Sequence, residues 1–266
     1  MSRIGEAFRS CASRDEGALI CYLTAGYPDR ERFEEHFLAC VEGGSDLMEI
    51  GVPFSDPVAD GPTIQRTSQV ALSNGMTPAK VFDCVSALRK KSAVPIVLMG
   101  YYNPIFRLGD ANFVRRSLEA GVDGLIVADM PLEESSELRS ICLDQGMDLI
   151  QLASPLSQGR RLQQICSASQ GYLYLVSALG TTGARSSLAK GLSHLIERTK
   201  RAAGPLPVAV GFGISGPKQV GQVIRAGADG AIIGSALLAA IIDGGTPLQT
   251  SDFVSQLKSA TNRRHA

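Results

Sequence analysis

The stretch "RAGADGAIIGSA", residues 225–236, ends a helical run at a glycine, turns through Asp229-Gly230, and enters a short apolar strand. The same sentence is written at 119–124, Glu-Ala-Gly-Val-Asp-Gly, and in looser form at 41–46, Val-Glu-Gly-Gly-Ser-Asp. A glycine after the last helical turn takes the left-handed conformation that other residues resist, so each copy marks a helix end followed by a buried strand. Working outward from these copies, strand-like apolar runs fall near 18–23, 46–50, 95–99, 124–128, 148–152, 172–176, 207–210 and 230–233. Helical patterns lie between or beyond them at 30–42, 62–74, 77–91, 110–120, 133–145, 158–168, 188–203 and 216–226. Strands alternating with helices must run parallel, because the crossover helix returns the chain to the same edge. Runs that are apolar on both faces suit buried parallel strands. Eight such units close as a (β/α)8 barrel, and no Gly-x-Gly-x-x-Gly follows the first strand to favour an open doubly wound sheet.

The 266 residues accommodate one such barrel, expected to span 1–266 as a single domain with an extra N-terminal helix. The C-terminal "SDFVSQLKSATNRRHA" reads as a final helix capped by Ser251 or Asp252, with a basic tail. Lysine plus arginine equals aspartate plus glutamate, 26 each, so the charge gives no reason to expect a nucleic acid or an anionic membrane as partner. No apolar run approaches the roughly 18 residues of a membrane span, and the N-terminus lacks a signal-peptide core. The six cysteines form no Cys-x-x-Cys pair and read as buried reduced thiols of a cytoplasmic protein.

In a barrel of this kind the site lies at the C-terminal ends of the strands. The second strand ends in "MEIGVPFSDPVADGP", residues 48–62, where Glu49 interrupts an apolar run and Asp56 and Asp60 follow on the loop. An acid there is partly desolvated, which raises its pKa and suits it to moving protons near neutrality. Asp60 supplies a second carboxylate in a different environment. The third strand offers Tyr101, Tyr102 and Asn103, and the fourth Asp129. The sixth ends at Ser177, and the last two offer Gly211-Phe212-Gly213 and Gly234-Ser235. Glycine-rich turns followed at once by helices near 216 and 235 expose backbone amides and a positive helix end, the makings of a phosphate cradle. None of the three histidines and none of the seven lysines stands at a strand end. A Schiff-base lysine and a histidine metal site are therefore not expected, and carbon–carbon cleavage here would run on carboxylate acid–base chemistry.

Residues 48–65, "MEIGVPFSDPVADGPTIQ", resemble the signature of the tryptophan synthase alpha subunit family. The likeness continues in "LTAGYPD" (23–29), "YYNPI" (101–105), "GLIVADMPLEES" (124–135), "TTGAR" (181–185), "VGFGIS" (210–215) and "GADGAIIGSA" (227–236). The resemblance implies a (β/α)8 lyase that splits indole-3-glycerol phosphate into indole and glyceraldehyde 3-phosphate. It further implies an α2β2 complex with a beta subunit and no cofactor in the alpha subunit. By the resemblance, Glu49 is the proton shuttle and Asp60 the carboxylate that meets the indole N–H. Tyr174 lines the pocket, and Tyr22 and Tyr102 join it as substrate contacts. Thr182, Gly183, Phe212, Gly213, Gly234 and Ser235 surround the phosphate, while Asp56 faces the beta subunit. The sequence departs from the family pattern at Ala178, Leu179 and Thr181, and has Tyr22 where phenylalanine is more usual. A stand-alone lyase, another phosphate-sugar barrel enzyme and a non-catalytic barrel are the rival readings.

Overall fold

The computed structural model describes residues 2–177, 191–211 and 213–263. Eight strands close in sequence order into a parallel barrel: β1 (Ala18–Thr24), β2 (Leu47–Gly51), β3 (Ile96–Gly100), β4 (Gly124–Val127), β5 (Asp148–Ala153), β6 (Leu173–Val176), β7 (Val208–Gly211) and β8 (Gly230–Ile233). Around them run α1 (Arg3–Ser13), α2 (Arg30–Glu42), α3 (Pro62–Ser73), α4 (Pro78–Arg89), α5 (Tyr102–Leu108), α6 (Asp110–Ala120), α7 (Ser136–Gln145), α8 (Gly159–Ala168), α9 (Leu192–Ala203), α10 (Pro217–Arg225), α11 (Ser235–Ile242) and α12 (Pro247–Ser259). No helix among the described residues is long and apolar enough to cross a membrane.

Strand side chains alternate between two cores, as the period of two requires. Ile20, Leu47, Val97, Ile126, Ile150 and Ile232 point into the barrel, while Leu19, Met48, Ile50, Leu98 and Leu125 face the helices. The amphipathic α1 lays Ile4, Phe8 and Cys11 against the inward set and closes the end opposite the site.

The repeated Gly-x-Asp-Gly phrase has a structural meaning. Asp46, just before β2, takes the N–H of Leu19 on its Oδ2 at 2.8 Å and donates its own N–H to the Leu19 carbonyl at 2.8 Å. Asp123 does the same with Ile96, and Asp229 with Val208. Before β6 the station is filled by Gln170, whose Oε1 accepts from Leu149 N at 3.2 Å while its N–H donates to Leu149 O. Each odd strand is thus clasped to the even strand that follows it, four times around the barrel. Lys258, Arg89 and Lys200 neutralise the three aspartates at 2.8, 2.8 and 2.5 Å.

Two expectations need correction. The final helix is capped by Thr246 rather than Ser251 or Asp252. Thr246 and Gln249 form a reciprocal capping box with Pro247 at the first helical position, and they start the helix a turn earlier. Helix α5 follows β3 directly, where no helix was expected, while α11 begins at Ser235 as expected and lines the site.

Candidate active site

Glu49 sits mid-strand on the inward face of β2 and is 0% exposed. Its Oε1 accepts the Tyr172 hydroxyl at 2.6 Å, and its Oε2 is buried with no hydrogen-bond partner among the described residues. Burial pushes the carboxyl up to about 7, against the Tyr172 bond, which pulls the other way. Tyr172 is itself fixed from below, its ring 5.6 Å from that of Phe8 on α1. The plug helix, the tyrosine and the acid therefore form one stack, which leaves Glu49 a single oxygen to offer.

Asp60 lies half-buried on the loop between β2 and α3. Burial pushes its carboxyl up to about 6, and the nearby Tyr101 hydroxyl opposes the rise. Tyr101 Oη accepts the Ala59 N–H at 3.0 Å, so the phenol pins the loop beside its acid. The Asp60 carbonyl accepts from Gln65 Nε2 at 2.8 Å.

Glu49 and Asp60 meet in a cavity of about 220 Å³ whose walls include Tyr22, Met99, Tyr174 and Ile232. Two strand-end glycines make room for the aromatics. A Cβ on Gly51 would stand 1.9 Å from Tyr22 Oη, and one on Gly211 would stand 2.2 Å from Tyr174 Oη. On the far side the cavity is bounded by Gly213, Ile214 and Ser215 before α10, and by Gly234, Ser235 and Ala236 at the start of α11. Gly213 has a φ of +78° and nothing within 4 Å of where a Cβ would sit, so its backbone faces open space.

The structure brings together Tyr22, Glu49, Asp60, Tyr174, Gly213, Gly234 and Ser235. It does not bring Tyr102. That residue opens α5, which swings its phenol to Asp110, 3.3 Å from each carboxylate oxygen, while its N–H is taken by Asp129 at 2.8 Å. Its neighbour Tyr101, the residue before the helix begins, is buried and holds the loop that carries Asp60. Asp56 is exposed and accepts from Ser55 Oγ at 2.5 Å. Thr182, Gly183 and Phe212 lie outside the described residues, as do Ala178, Leu179 and Thr181. Tyr172 was not singled out in the sequence, although its spacing of two from Tyr174 puts both on one face. Among the described residues no cluster of His, Cys, Asp or Glu could hold a metal ion.

A closed parallel barrel whose mouth holds two carboxylates, one deep and clamped and one on a loop, is of the (β/α)8 class. A family model described as tryptophan synthase alpha chain matches residues 8–263. The tryptophan synthase alpha chain of Citrifermentans bemidjiense is 48% identical over 238 residues, covering 90% of this chain and 88% of that one. The alpha chain of Methanosarcina barkeri is 44% identical over 263 residues and 98% of both chains. Among solved structures, tryptophan synthase from Mycobacterium tuberculosis superposes with a TM-score of 0.90 at 35% identity, over 98% of each chain. The chain belongs to the tryptophan synthase alpha chain family, and as a member it is an alpha subunit and a lyase.

Proposed function

We propose that this alpha subunit cleaves indole-3-glycerol phosphate by acid–base catalysis, with Glu49 moving the protons and Asp60 balancing the charge. The observation that carries the reading is the state of Glu49: one oxygen held by Tyr172, the other bare and buried, on a carboxyl poised near neutrality. A group poised there can give and take a proton with little penalty either way. Protonated Glu49 delivers its proton to ring carbon 3, which turns a poor carbanion leaving group into an indolenine. The carboxylate left behind then takes the proton from the hydroxyl on the adjacent side-chain carbon. The carbon–carbon bond electrons return to the ring, an aldehyde forms, and Glu49 ends protonated as it began. Asp60, across the cavity, places an anion beside the ring nitrogen while that nitrogen is positive.

The substrate phosphate fits the opposite wall, where Gly213, Gly234 and Ser235 line the cavity and α11 begins. A helix start binds such an anion with backbone N–H groups. Thr182, Gly183 and Phe212 are assigned to the same wall by the family likeness. The beta subunit partner completes an α2β2 assembly and receives the indole. Its docking face is the rim beyond β2, β3 and β5, where Val58 (81% exposed), Phe106 (68%) and Leu156 (71%) stand in water and Asp56 shares the loop of Val58. Scattered apolar residues are ordinary, but three beyond strand ends at one end of the barrel fit a protein partner. The chain acts as one barrel domain over 1–266, and its six unpaired, buried cysteines fit the reducing cytoplasm.

The test is indole release from indole-3-glycerol phosphate by the purified chain, with and without a beta subunit. Wild type releases indole, and Glu49→Gln loses about 10²–10⁴-fold in rate while still binding substrate. A Glu49→Gln protein that keeps a tenth of wild-type turnover overturns the assignment.

A further inference from the structure

The mouth of the barrel holds a second set of polar side chains that the chemistry above does not use. Thr24, the last residue of β1, is 1% exposed, and Thr67, in the second turn of α3, is fully buried. Their Oγ1 atoms are 2.7 Å apart. Thr67 Oγ1 also lies 2.9 Å from the Ile64 carbonyl, which can only accept, so the Thr67 proton goes there. Thr24 must then be the donor in the threonine pair. One directional chain results: Thr24 to Thr67 to the Ile64 carbonyl.

One end of this chain is at the catalytic cavity, since Ile64 lines it. Its middle crosses from a strand to α3. That helix follows the loop bearing Asp60 and holds the Asp60 carbonyl through Gln65. A helix that slid by a fraction of an ångström over β1 would carry Asp60 with it. Two apolar side chains would pack the strand–helix contact without any need to satisfy buried hydroxyls.

We infer that Thr24 and Thr67 are positioning residues for the cleavage reaction. Their shared hydrogen bond fixes α3 over the cavity and so sets where the Asp60 carboxylate stands. The inference rests on the lyase reading above for its kinetic readout and on geometry alone for its second one.

The experiment compares Thr67→Val, Thr24→Val, Thr67→Ser and the Thr24→Val/Thr67→Val double variant in the full chain with beta subunit present. Valine keeps the shape and deletes the hydroxyl, whereas serine keeps the hydroxyl and deletes a methyl. Each valine variant should lower kcat about three- to tenfold, the worth of one net hydrogen bond, with KM within about twofold. The double variant should be no worse than Thr67→Val, which already removes both bonds of the Thr67 hydroxyl, the one to Thr24 included. Thr67→Ser should keep more than half of wild-type kcat. Valine at wild-type kcat, serine worse than valine, or additive losses would each overturn the inference and leave a packing role. Amide exchange in α3 is the second readout, faster in Thr67→Val than in Thr67→Ser. If a valine variant does not fold, Thr67→Ser against Thr67→Ala decides: the serine near wild type and the alanine slowed, or the inference falls. Absence of turnover in wild type would sink the lyase reading, and the exchange comparison would still judge the hydroxyl chain.

Discussion

A carboxylate inside an apolar barrel is a standing cost to the fold, and at Glu49 that cost depends on pH. Its ordinary value of 4.5 is raised to about 7 by burial. Between those two values the folded protein holds a proton that the unfolded chain has released, so stability falls as pH rises across the window. The full loss, present above about pH 7, is on the order of 3 kcal/mol. Glu49→Gln removes it. We therefore expect the variant to melt above wild type at pH 8 and close to it at pH 4.5. An equal gain at both pH values would show that burial is not the cause. Asp60→Asn keeps the shape and loses the charge beside the ring nitrogen, so it should fold normally and cleave at least tenfold more slowly. Near-normal turnover by a folded Asp60→Asn protein would remove Asp60 from the mechanism. Glu49 was legible in the sequence because a charge in an apolar run has no packing reason to be there, and Asp60, Tyr22 and Tyr174 were legible through the family likeness. Tyr102 was misplaced, because α5 begins at that residue and turns its phenol to Asp110. Tyr172 was missed, since nothing in a sequence reports that its hydroxyl will find Glu49.

Elements are held in register by the clasps at the base of the barrel. Asp123→Ala would strand the Ile96 N–H and leave Arg89 short of a partner, a loss of about 2 kcal/mol. Asp123→Asn keeps an acceptor and should cost clearly less, because Gln170 already does the same work as a neutral amide. Chemical denaturation of the two variants separates them, and equal losses would mean that the charge alone matters. A different joint ties α2 to α12. His36 is buried, with Nδ1 2.9 Å from Thr250 Oγ1 and Nε2 without a hydrogen-bond partner among the described residues. Burial lowers its pKa first, Arg32 adds to the fall, and Glu35 and Asp29 oppose it. The unfolded chain thus binds a proton that the folded one refuses, and stability drops as pH falls below the ordinary 6.5. The urea midpoint should decline from pH 7 to pH 5 less steeply in His36→Gln than in wild type. The eight strands and most helices were readable from Gly-Asp turns and apolar runs. Helix α11, Ser-Ala-Leu-Leu-Ala-Ala-Ile-Ile, showed only its start after Gly234, because a helix apolar all round has no amphipathic period to mark its length. Helix α5 was hidden by Pro104, which reads as a turn.

At the scale of the molecule, the site and the proposed docking rim share one end of the barrel while α1 closes the other. The loop between β2 and α3 carries both Asp60, turned to the cavity, and Asp56 and Val58, turned to water. A partner seated on that loop acts on Asp60 without touching substrate. Tenfold activation needs only about 1.4 kcal/mol of preference for the competent arrangement. We expect a beta subunit to accelerate cleavage, and Asp56→Ala to weaken the acceleration more than it slows the isolated chain. An isolated chain that turns over as fast as the complex would favour the stand-alone lyase. The base of the barrel has its own consequence. Because every clasp joins an odd strand to the next even one, the polypeptide divides naturally into quarters. A nick at 90–95, between β2 and β3, leaves all four clasps intact, one on the first fragment and three on the second. A nick at 26–29, between β1 and β2, puts Leu19 and Asp46 on separate polypeptides, so the first clasp forms only when two molecules collide. The same barrel is therefore a kit of strand pairs, tolerant of being made in pieces at every second joint and intolerant at the joints between.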